Sequence, residues 1–141
     1  MADLILGTEE LPILGEADVM LVRGRVRELA LRHGFDKFSI AAITTATSEL
    51  TRNAWVHGGG GSAQIVELDR GGRRGLRLVF RDQGPGIDDV DRTLAGGYST
   101  ARSLGLGLSG SRRLVDEFQI DSRPGGTTVT VAKWARFTGQ G

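Results

Sequence analysis

Three polar side chains fall on one face of a helix that is predicted over residues 37–56. Glu49 and Asn53 are four residues apart and His57 follows one turn later, so a carboxylate, an amide and an imidazole line up along that face. Such a face could serve a metal-bound phosphate. A solvated polar stripe would show the same spacing, so this pattern taken alone leaves both interpretations open.

A second candidate segment is Asp82-Gln83-Gly84-Pro85-Gly86, which follows a predicted strand. Its glycines allow the backbone to approach a ligand, and the Asp82 carboxylate can accept a hydrogen bond from an exocyclic amine. An Asp-Gly turn is commonplace, so this segment alone does not indicate a binding site.

Two glycine-rich stretches, 96–100 and 105–110, surround the start of a third helix that is predicted over 106–118. The free N–H groups and the positive dipole end of a helix N-terminus favour phosphate. The second stretch is formally G-x-G-x-x-G. It follows a polar loop late in the chain, however, whereas the Rossmann fingerprint follows a buried strand at the start of a βαβ unit.

The helices that would position these residues are visible in the periodicity. Asp18 can cap a first helix that ends at His33-Gly34. The second helix carries an apolar stripe at a 3.6-residue period and ends at the four-glycine run 58–61. His57 at this helix end could contact phosphate or simply cap carbonyl groups, and the glycine run predicts a soft loop.

Strand signals frame these helices. Residues 10–14 could form a short opening strand, and 63–68 and 76–80 predict an antiparallel hairpin through the turn 69–73. Residues 127–133 alternate and predict a closing strand. Helices first and hairpins later favour an α+β two-layer sandwich.

Composition excludes several classes of protein. The 141 residues fit one domain, 1–141, and the net charge of +1 gives no reason to expect nucleic acid or an anionic membrane as a partner. No apolar run could span a bilayer, no signal peptide is visible, and the absence of cysteine is compatible with a reducing cytosol, so we expect a cytoplasmic protein. The two lysines, Lys37 and Lys133, do not follow glycines, which excludes a P-loop.

Together, and in this order, the three candidate segments resemble the N, G1 and G2 boxes of the GHKL ATPases, the superfamily of gyrase, Hsp90-type chaperones, mismatch-repair ATPases and histidine kinases. Gly126-Thr127-Thr128-Val129 matches the remaining box. The resemblance runs from about Asp18 to Trp134. It implies an α+β fold, a two-layer α/β sandwich of the GHKL (Bergerat, histidine-kinase-like ATPase) type, with a mixed, mostly antiparallel sheet and helices on one face.

The resemblance also implies roles for the matched residues, with ATP and Mg²⁺ as cofactors. Glu49 lies where the superfamily keeps its general base, Asn53 would ligate Mg²⁺, and Asp82 would accept the adenine amino group. Thr127 would support the adenine through Asp82 or a water. The other residues implied to contact ATP are Gly84, Gly86, Gly97, Ser99, Thr100, Gly105, Leu106, Gly107 and Leu108.

Within the superfamily the chain looks like the free-standing serine/threonine kinases. Histidine kinases need a helical dimerisation segment, and gyrase-like ATPases need a transducer domain. We expect that 141 residues leave room for neither beside the ATP-binding domain. Phrases such as Gly97-Tyr98-Ser99-Thr100 and Lys133-Trp134 are similar to the stressosome switch kinases of the RsbT type. Residues 54–58 are instead in the style of the anti-sigma factor kinases, so the boundary between the two subfamilies is not clean.

The implied function is an ATP-dependent serine/threonine protein kinase that acts as a partner-switching regulator in bacterial stress signalling. Its substrate would be a STAS-domain stressosome scaffold or antagonist, and the released kinase would activate a PP2C-type phosphatase. Two alternatives remain: an anti-sigma factor kinase, which would bind a sigma factor, and a nucleotide-dependent binding switch without phosphotransfer.

Two further groups of residues have a structural and a functional interpretation. Trp55, Trp134 and Phe137 could form a partner surface, but we expect them to pack in the core. The arginine-rich segment 70–81 is expected to be a solvated hairpin and not a recognition patch.

Overall fold

The computed structural model describes residues 2–87 and 102–136, except for the side chains of 102–106. None of the helices in these ranges is long and apolar enough to cross a membrane. The elements in chain order are β1 (Leu4–Ile13), α1 (Ala17–Arg32), α2 (Lys37–Val56), β2 (Gly61–Arg70), β3 (Arg73–Asp82), α3 (Arg102–Leu114), β4 (Glu117–Arg123) and β5 (Gly126–Trp134).

The strands form one sheet in the order β1-β2-β3-β5-β4, and each pairing between these described strands is antiparallel. The helices pack on one face of the sheet, where α2 contacts both α1 and α3. The predicted two-layer sandwich with a mostly antiparallel sheet is therefore confirmed.

The main core lies between the helices and the sheet. Period-two alternation directs every second strand residue toward the helices, and the 3.6-residue period directs one stripe of α1 and α2 toward the strands. Each such aliphatic side chain contributes roughly 1.5–3 kcal/mol when it leaves water. The members with at most 2% exposure include Ile13, Val22, Val26, Leu29, Ile43, Leu50, Ile65, Leu76, Leu78, Leu108 and Val131.

The boundary between α1 and α2 follows from local chemistry. The His33 N–H donates to the Leu29 carbonyl at 3.0 Å, and Gly34 then turns the chain at φ 78°, a conformation that glycine adopts without a steric penalty. Asp36 caps α2, since its Oδ1 accepts the Ser39 N–H at 2.7 Å. The predicted bounds of α2 are confirmed.

The predicted cap of α1 is wrong. The helix begins at Ala17, which places Asp18 inside the first turn. The Asp18 carboxylate accepts the Leu14 N–H at 2.7 Å, so it fixes the connection from β1 and does not cap a helical N–H. The opening strand is also longer than the predicted residues 10–14, because β1 pairs with β2 along most of its length.

The predicted hairpin is confirmed, and its strands are longer than predicted. The register brings Arg70 opposite Arg73 and leaves two glycines in the turn, Gly71 at φ 61° and Gly72 at φ 93°. Two consecutive positive φ values are those of a type I′ turn, whose twist matches that of the flanking strands.

The prediction of a helix over residues 106–118 is wrong at both ends, and the stretch 105–110 lies inside the helix, not around its start. The helix α3 runs from Arg102 to Leu114, and the Asp116 N–H donates to the Ala132 carbonyl at 2.9 Å. From there β4 pairs with β5, with Phe118 and Ile120 packed against the core and the polar residues between them exposed. The alternation of a strand therefore prevails over the helical pattern.

The outer face of the sheet carries a second apolar cluster formed by Val66, Leu68 and Trp134. Trp134 is 5% exposed, and its Nε1 donates to Glu117 Oε2 at 3.0 Å. The guanidinium carbon of Arg70 lies 4.1 Å from the ring centroid, which is a cation–π geometry.

Of the three aromatic residues expected in the core, two lie in the described ranges. Trp134 is buried, and Trp55 is partly buried against the main core. Phe137 lies outside the described residues.

Three of the five arginines in segment 70–81 form ion pairs within the fold. Arg70 and Arg77 bind Asp3 at 2.7 and 3.2 Å, and Arg74 binds Asp69 at 2.9 Å. These ion pairs lie at the surface, where solvent screens the charges, so they add little to the stability of the fold. This arrangement favours the predicted hairpin over a recognition patch.

We expect Trp134→Ala to lower the free energy of unfolding by about 3 kcal/mol, because it empties the outer cluster and leaves Leu68 without its cover. Urea denaturation measures the loss. Thr130→Ala, on the same strand and face, is the matched control and should cost less than about 1 kcal/mol. A Trp134→Ala chain as stable as the control would show that the outer cluster contributes little.

Candidate functional site

A cleft opens between α2 and the adjoining ends of β3 and β5, and it contains about 420 Å³ of space when its open mouth is counted. Mostly apolar walls with a few polar groups are typical of small-molecule sites. Sequence reasoning did not identify the apolar wall residues Leu50, Ala54, Phe80, Ile87 and Val129 as site residues, because each also reads as ordinary core. The predicted site residues that line the cleft are Asn53, Asp82, Gly86, Leu108 and Thr127.

The helices α2 and α3 meet at Gly107, which is buried. A Cβ placed on Gly107 would lie 3.1 Å from Glu49 Oε2 and 3.2 Å from Asn53 Nδ2, closer than most real contacts of a Cβ. Glycine is therefore needed for α3 to approach these two side chains. The structure thus brings together the predicted base, the predicted metal ligand and one predicted phosphate-contacting glycine.

Asn53 has a polar atom without a partner. Its Nδ2 is buried and forms no hydrogen bond within the described part of the chain. A buried polar group that lacks a hydrogen bond costs roughly 1–3 kcal/mol, so such groups are concentrated where a ligand or ion completes them. Rotation of the amide by 180° would present Oδ1 at the same place, and oxygen is the ligand atom that Mg²⁺ prefers.

Asp82 ends β3 with its side chain against the cleft. Its Oδ1 accepts the Gly84 N–H at 3.0 Å, and a carboxylate has enough lone pairs to accept a further hydrogen bond from a ligand. Burial raises the pKa of this carboxyl above its usual value of 3.8, and the backbone N–H groups of Gly84 and Thr127 oppose that shift. A half-buried acceptor of this kind suits an amine donor on a ligand.

Gly58 supports Asp82 and was not among the predicted site residues. A Cβ on Gly58 would overlap the Asp82 side chain, and a Cβ on Gly84 would lie 2.7 Å from the Gly58 Cα. The glycine run therefore packs closely against the end of β3, which differs from the soft loop that we predicted. The four consecutive glycines were the signal available in the sequence, but only the contact with Asp82 shows why glycine is needed at Gly58.

Gly86 has a φ of 85°, a value that L side chains rarely adopt. A Cβ there would also overlap the Arg123 carbonyl. The two glycines of the Asp82 to Gly86 segment are thus set by close packing against Gly58 and β4, and the segment forms one wall of the cleft.

Thr127 stands opposite Asp82 in the sheet register and is 8% exposed. Its Oγ1 lies 2.7 Å from Ser122 Oγ on β4, and the same Ser122 Oγ accepts the Ile87 N–H at 2.8 Å. Ser122 was missed because β4 itself was missed. Without that strand, nothing in the sequence places Ser122 beside Thr127.

His57 is the C-cap residue of α2, where its backbone N–H donates to the Asn53 carbonyl. Its side chain also lines the cleft. That backbone bond is the ordinary i→i−4 bond of a helix end, so both interpretations of the imidazole, as a cap of carbonyl groups and as a contact to phosphate, stay predictions.

Several predicted residues fall outside what the structure describes. Gly97, Ser99 and Thr100 lie outside the described residues altogether. Gly105 and Leu106 lie within α3, but nothing is described beyond their backbone.

We expect Asp82→Asn to stabilise the ligand-free chain at about pH 7. Because the pKa of Asp82 is raised on folding above 3.8, its ionised form costs stability above the folded pKa. That cost is relieved as the pH falls through the folded pKa. Thermal melts at about pH 7 and pH 4 should therefore show a difference between variant and native chain that shrinks in acid. A difference that grows in acid would contradict a raised pKa.

Comparison with known proteins identifies the family of this chain. Residues 15–133 match the family described as "Histidine kinase-like ATPase domain". The chain is 41% identical over 125 residues to the serine/threonine-protein kinase RsbT of Bacillus subtilis, covering 88% of this chain and 94% of that protein. It is 34% identical over 97 residues to the anti-sigma F factor of Halalkalibacterium halodurans, covering 64% of this chain and 66% of that one. The predicted resemblance is confirmed.

A solved structure agrees with this fold. The crystal structure of the RsbU and RsbW domains of Rv1364c from Mycobacterium tuberculosis superposes with a TM-score of 0.62 at 24% identity, covering 93% of this chain and 33% of that chain. At this identity the likeness shows the fold alone.

Proposed function

The chain belongs to the histidine kinase-like ATPase family, and we propose that its cleft binds ATP with Mg²⁺ and passes the γ-phosphate to a serine or threonine of a partner protein. It is a serine/threonine protein kinase of the partner-switching class, in line with its 41% identity to such a kinase. The observation that carries the proposal is the meeting of Glu49, Asn53 and Gly107 where α3 reaches α2, beside a cleft that ends at Asp82.

The two ends of the cleft bind different parts of the nucleotide, the adenine near Asp82 and the Mg²⁺-bound phosphates near Asn53. Asp82 accepts a hydrogen bond from the adenine amine, and the apolar walls formed by Leu50, Phe80 and Val129 cover the base. The unpartnered amide of Asn53 fits a role as protein ligand to Mg²⁺, since nucleotide-bound Mg²⁺ takes most of its ligands from phosphates and water. Bound ATP–Mg²⁺ supplies the transferable phosphoryl group and offsets the charge on the leaving phosphates.

Glu49 is the proposed general base. Within the described part of the chain its carboxylate forms no ion pair or hydrogen bond, and its Oε2 faces Gly107. It can therefore take the proton of a partner's Ser or Thr hydroxyl as that oxygen attacks. Asn53 lies one helical turn away and is held by the same helix, so base and metal ligand keep a constant spacing.

The proposed substrate is a STAS-domain protein, a stressosome scaffold or an antagonist. We further propose that the released kinase binds a PP2C-type phosphatase, that residues 1–141 act as a single domain, and that the chain works in the cytoplasm. The match to anti-sigma F factors over 97 residues keeps binding to a sigma factor as a second candidate function.

The proposal is tested by transfer of labelled γ-phosphate from ATP–Mg²⁺ to a purified stressosome STAS protein. The native chain should label the substrate in an acid-stable form, as expected of phosphoserine or phosphothreonine and unlike phosphohistidine. Asn53→Ala should remove the label, whereas Thr45→Ala, exposed on the same helix, should retain it. ATP binding without any transfer, to this or to a sigma-antagonist STAS protein, would indicate a binding switch instead.

A further inference from the structure

The Ser122 hydroxyl forms hydrogen bonds with two residues that line the cleft, Thr127 and Ile87. Its Oγ lies 2.7 Å from Thr127 Oγ1 and accepts the Ile87 N–H at 2.8 Å, and both of these partners line the cleft. Building on the proposed nucleotide site, we infer that Ser122 positions the Thr127 hydroxyl as a donor beside the Asp82 acceptor and thereby makes the cleft select adenine over guanine nucleotides.

The direction of the hydrogen bond between the two hydroxyls follows from the donors and acceptors available. A serine hydroxyl has one hydrogen and two lone pairs, and the Ile87 N–H occupies one of those lone pairs. If Thr127 also donated to Ser122, the Ser122 hydrogen would need another acceptor. Ser122 Oγ makes no further hydrogen bond among the described residues. Donation from Ser122 to Thr127 therefore satisfies both side chains, and it leaves the Thr127 hydrogen free for a ligand.

Asp82 supplies the neighbouring acceptor. Thr127 is its cross-strand partner in the sheet, and Asp82 Oδ1 already accepts the Gly84 N–H at 3.0 Å. The cleft thus presents a carboxylate acceptor next to a hydroxyl donor. Adenine presents the complementary order, an amine donor next to the N1 acceptor.

Guanine presents the opposite order, since its O6 is an acceptor and its N1–H is a donor. The guanine O6 would then face the Asp82 carboxylate, acceptor against acceptor, and the N1–H would face the Thr127 hydroxyl, donor against donor, in a partly buried site. A site built to hydrogen-bond its substrate rejects an analogue strongly when its own polar groups are left unpaired. Had Thr127 donated to Ser122, the cleft would offer two acceptors and discriminate less.

The second hydrogen bond of Ser122 gives an independent readout. The Ile87 amide is held by Ser122 Oγ and follows Gly86 in the wall of the cleft. Removal of the Ser122 hydroxyl should speed hydrogen exchange at the Ile87 amide, because its acceptor is lost. A hydroxyl retained on a different side chain should preserve that protection.

The test compares ATP and GTP affinities by isothermal titration in the presence of Mg²⁺. For Ser122→Ala we expect ATP affinity to fall roughly three- to tenfold, as for a lost neutral hydrogen bond. GTP affinity should stay unchanged or improve, so the preference for ATP falls by at least the same factor. Ser122→Thr keeps the hydroxyl and should keep the preference. Thr128→Ala is the matched control, since alternation turns its side chain to the opposite face of β5.

The outcomes separate this inference from the kinase proposal. A reduced ATP preference in Ser122→Ala supports the inference whether or not the native chain transfers phosphate. Equal losses of ATP and GTP affinity would overturn it, because general loosening of the cleft lowers both. A native chain that binds ATP and GTP equally would also overturn it, and one that binds neither would overturn the kinase proposal as well.

Discussion

Glu49→Gln should lower the rate of phosphate transfer by about 10²- to 10⁴-fold, the usual contribution of a positioned general base. ATP binding should be nearly unchanged. Glutamine has almost the shape of glutamate and can keep its place against Gly107 and Asn53, but it cannot accept a proton from an attacking hydroxyl. Single-turnover transfer at saturating ATP measures the chemical step, and titration with ATP measures binding.

Glu28→Gln is a suitable control for this experiment, because Glu28 is exposed on α1 and remote from the cleft. It should transfer phosphate at the native rate. If Glu49→Gln does so too, Glu49 is not the base and the carboxylate has another task. If both rate and ATP affinity fall together, Glu49 contributes to binding of the nucleotide.

Asp82→Asn should weaken ATP binding by about 100-fold, since hydrogen bonds to charged groups contribute roughly 1.5–3 kcal/mol. The replacing amide must keep its oxygen toward the Gly84 N–H, where Asp82 Oδ1 now accepts at 3.0 Å. Its NH₂ group then faces the cleft and opposes the adenine amine, donor against donor. Isothermal titration measures the loss.

Asp121→Asn is the matched control, since Asp121 is exposed and its nearest ion pair is with Arg123 at 3.3 Å. Its ATP affinity should stay native. The Asp82 variant should also stay folded, because the buried charge is a cost to the ligand-free chain. A folded Asp82→Asn chain with native ATP affinity would remove Asp82 from base recognition.

Local signals predicted much of the fold. The turn at Gly34 and the glycine run 58–61 mark the ends of the helices through chemistry that lies within a few residues, so the ends of α1 and α2 could be predicted from the sequence. The hairpin of β2 and β3 was visible for the same reason. The order of the elements already favoured a two-layer sandwich, and the family resemblance added its type, a mostly antiparallel sheet with helices on one face.

The missed strand β4 has a clear physical explanation. Residues 117–123 alternate between exposed and partly buried, but Phe118 also fits the period of the helix before it. What ends that helix is a long-range contact, the bond from the Asp116 N–H to the Ala132 carbonyl. Without knowledge of β5 as a neighbour, the two periods could not be distinguished.

The site shows the same division. Glu49, Asn53 and Asp82 were identified from residue type, order and spacing, and the structure places each of them at the cleft or beside it. Gly58 and Ser122 act through neighbours that are distant in the sequence, Asp82 for the first and Thr127 and Ile87 for the second. Such supporting residues carry no motif, so only the fold reveals them.

The chain has two tryptophans, and they lie in very different places. Trp55 is near the end of α2, two residues from each of the cleft residues Asn53 and His57, whereas Trp134 is buried on the far side of the sheet. Removal of one tryptophan therefore leaves an intrinsic fluorescence signal that reports on the surroundings of the other. A chain with Trp134→Phe would report nucleotide binding through Trp55 alone, and one with Trp55→Phe would report global unfolding through Trp134, without any added dye.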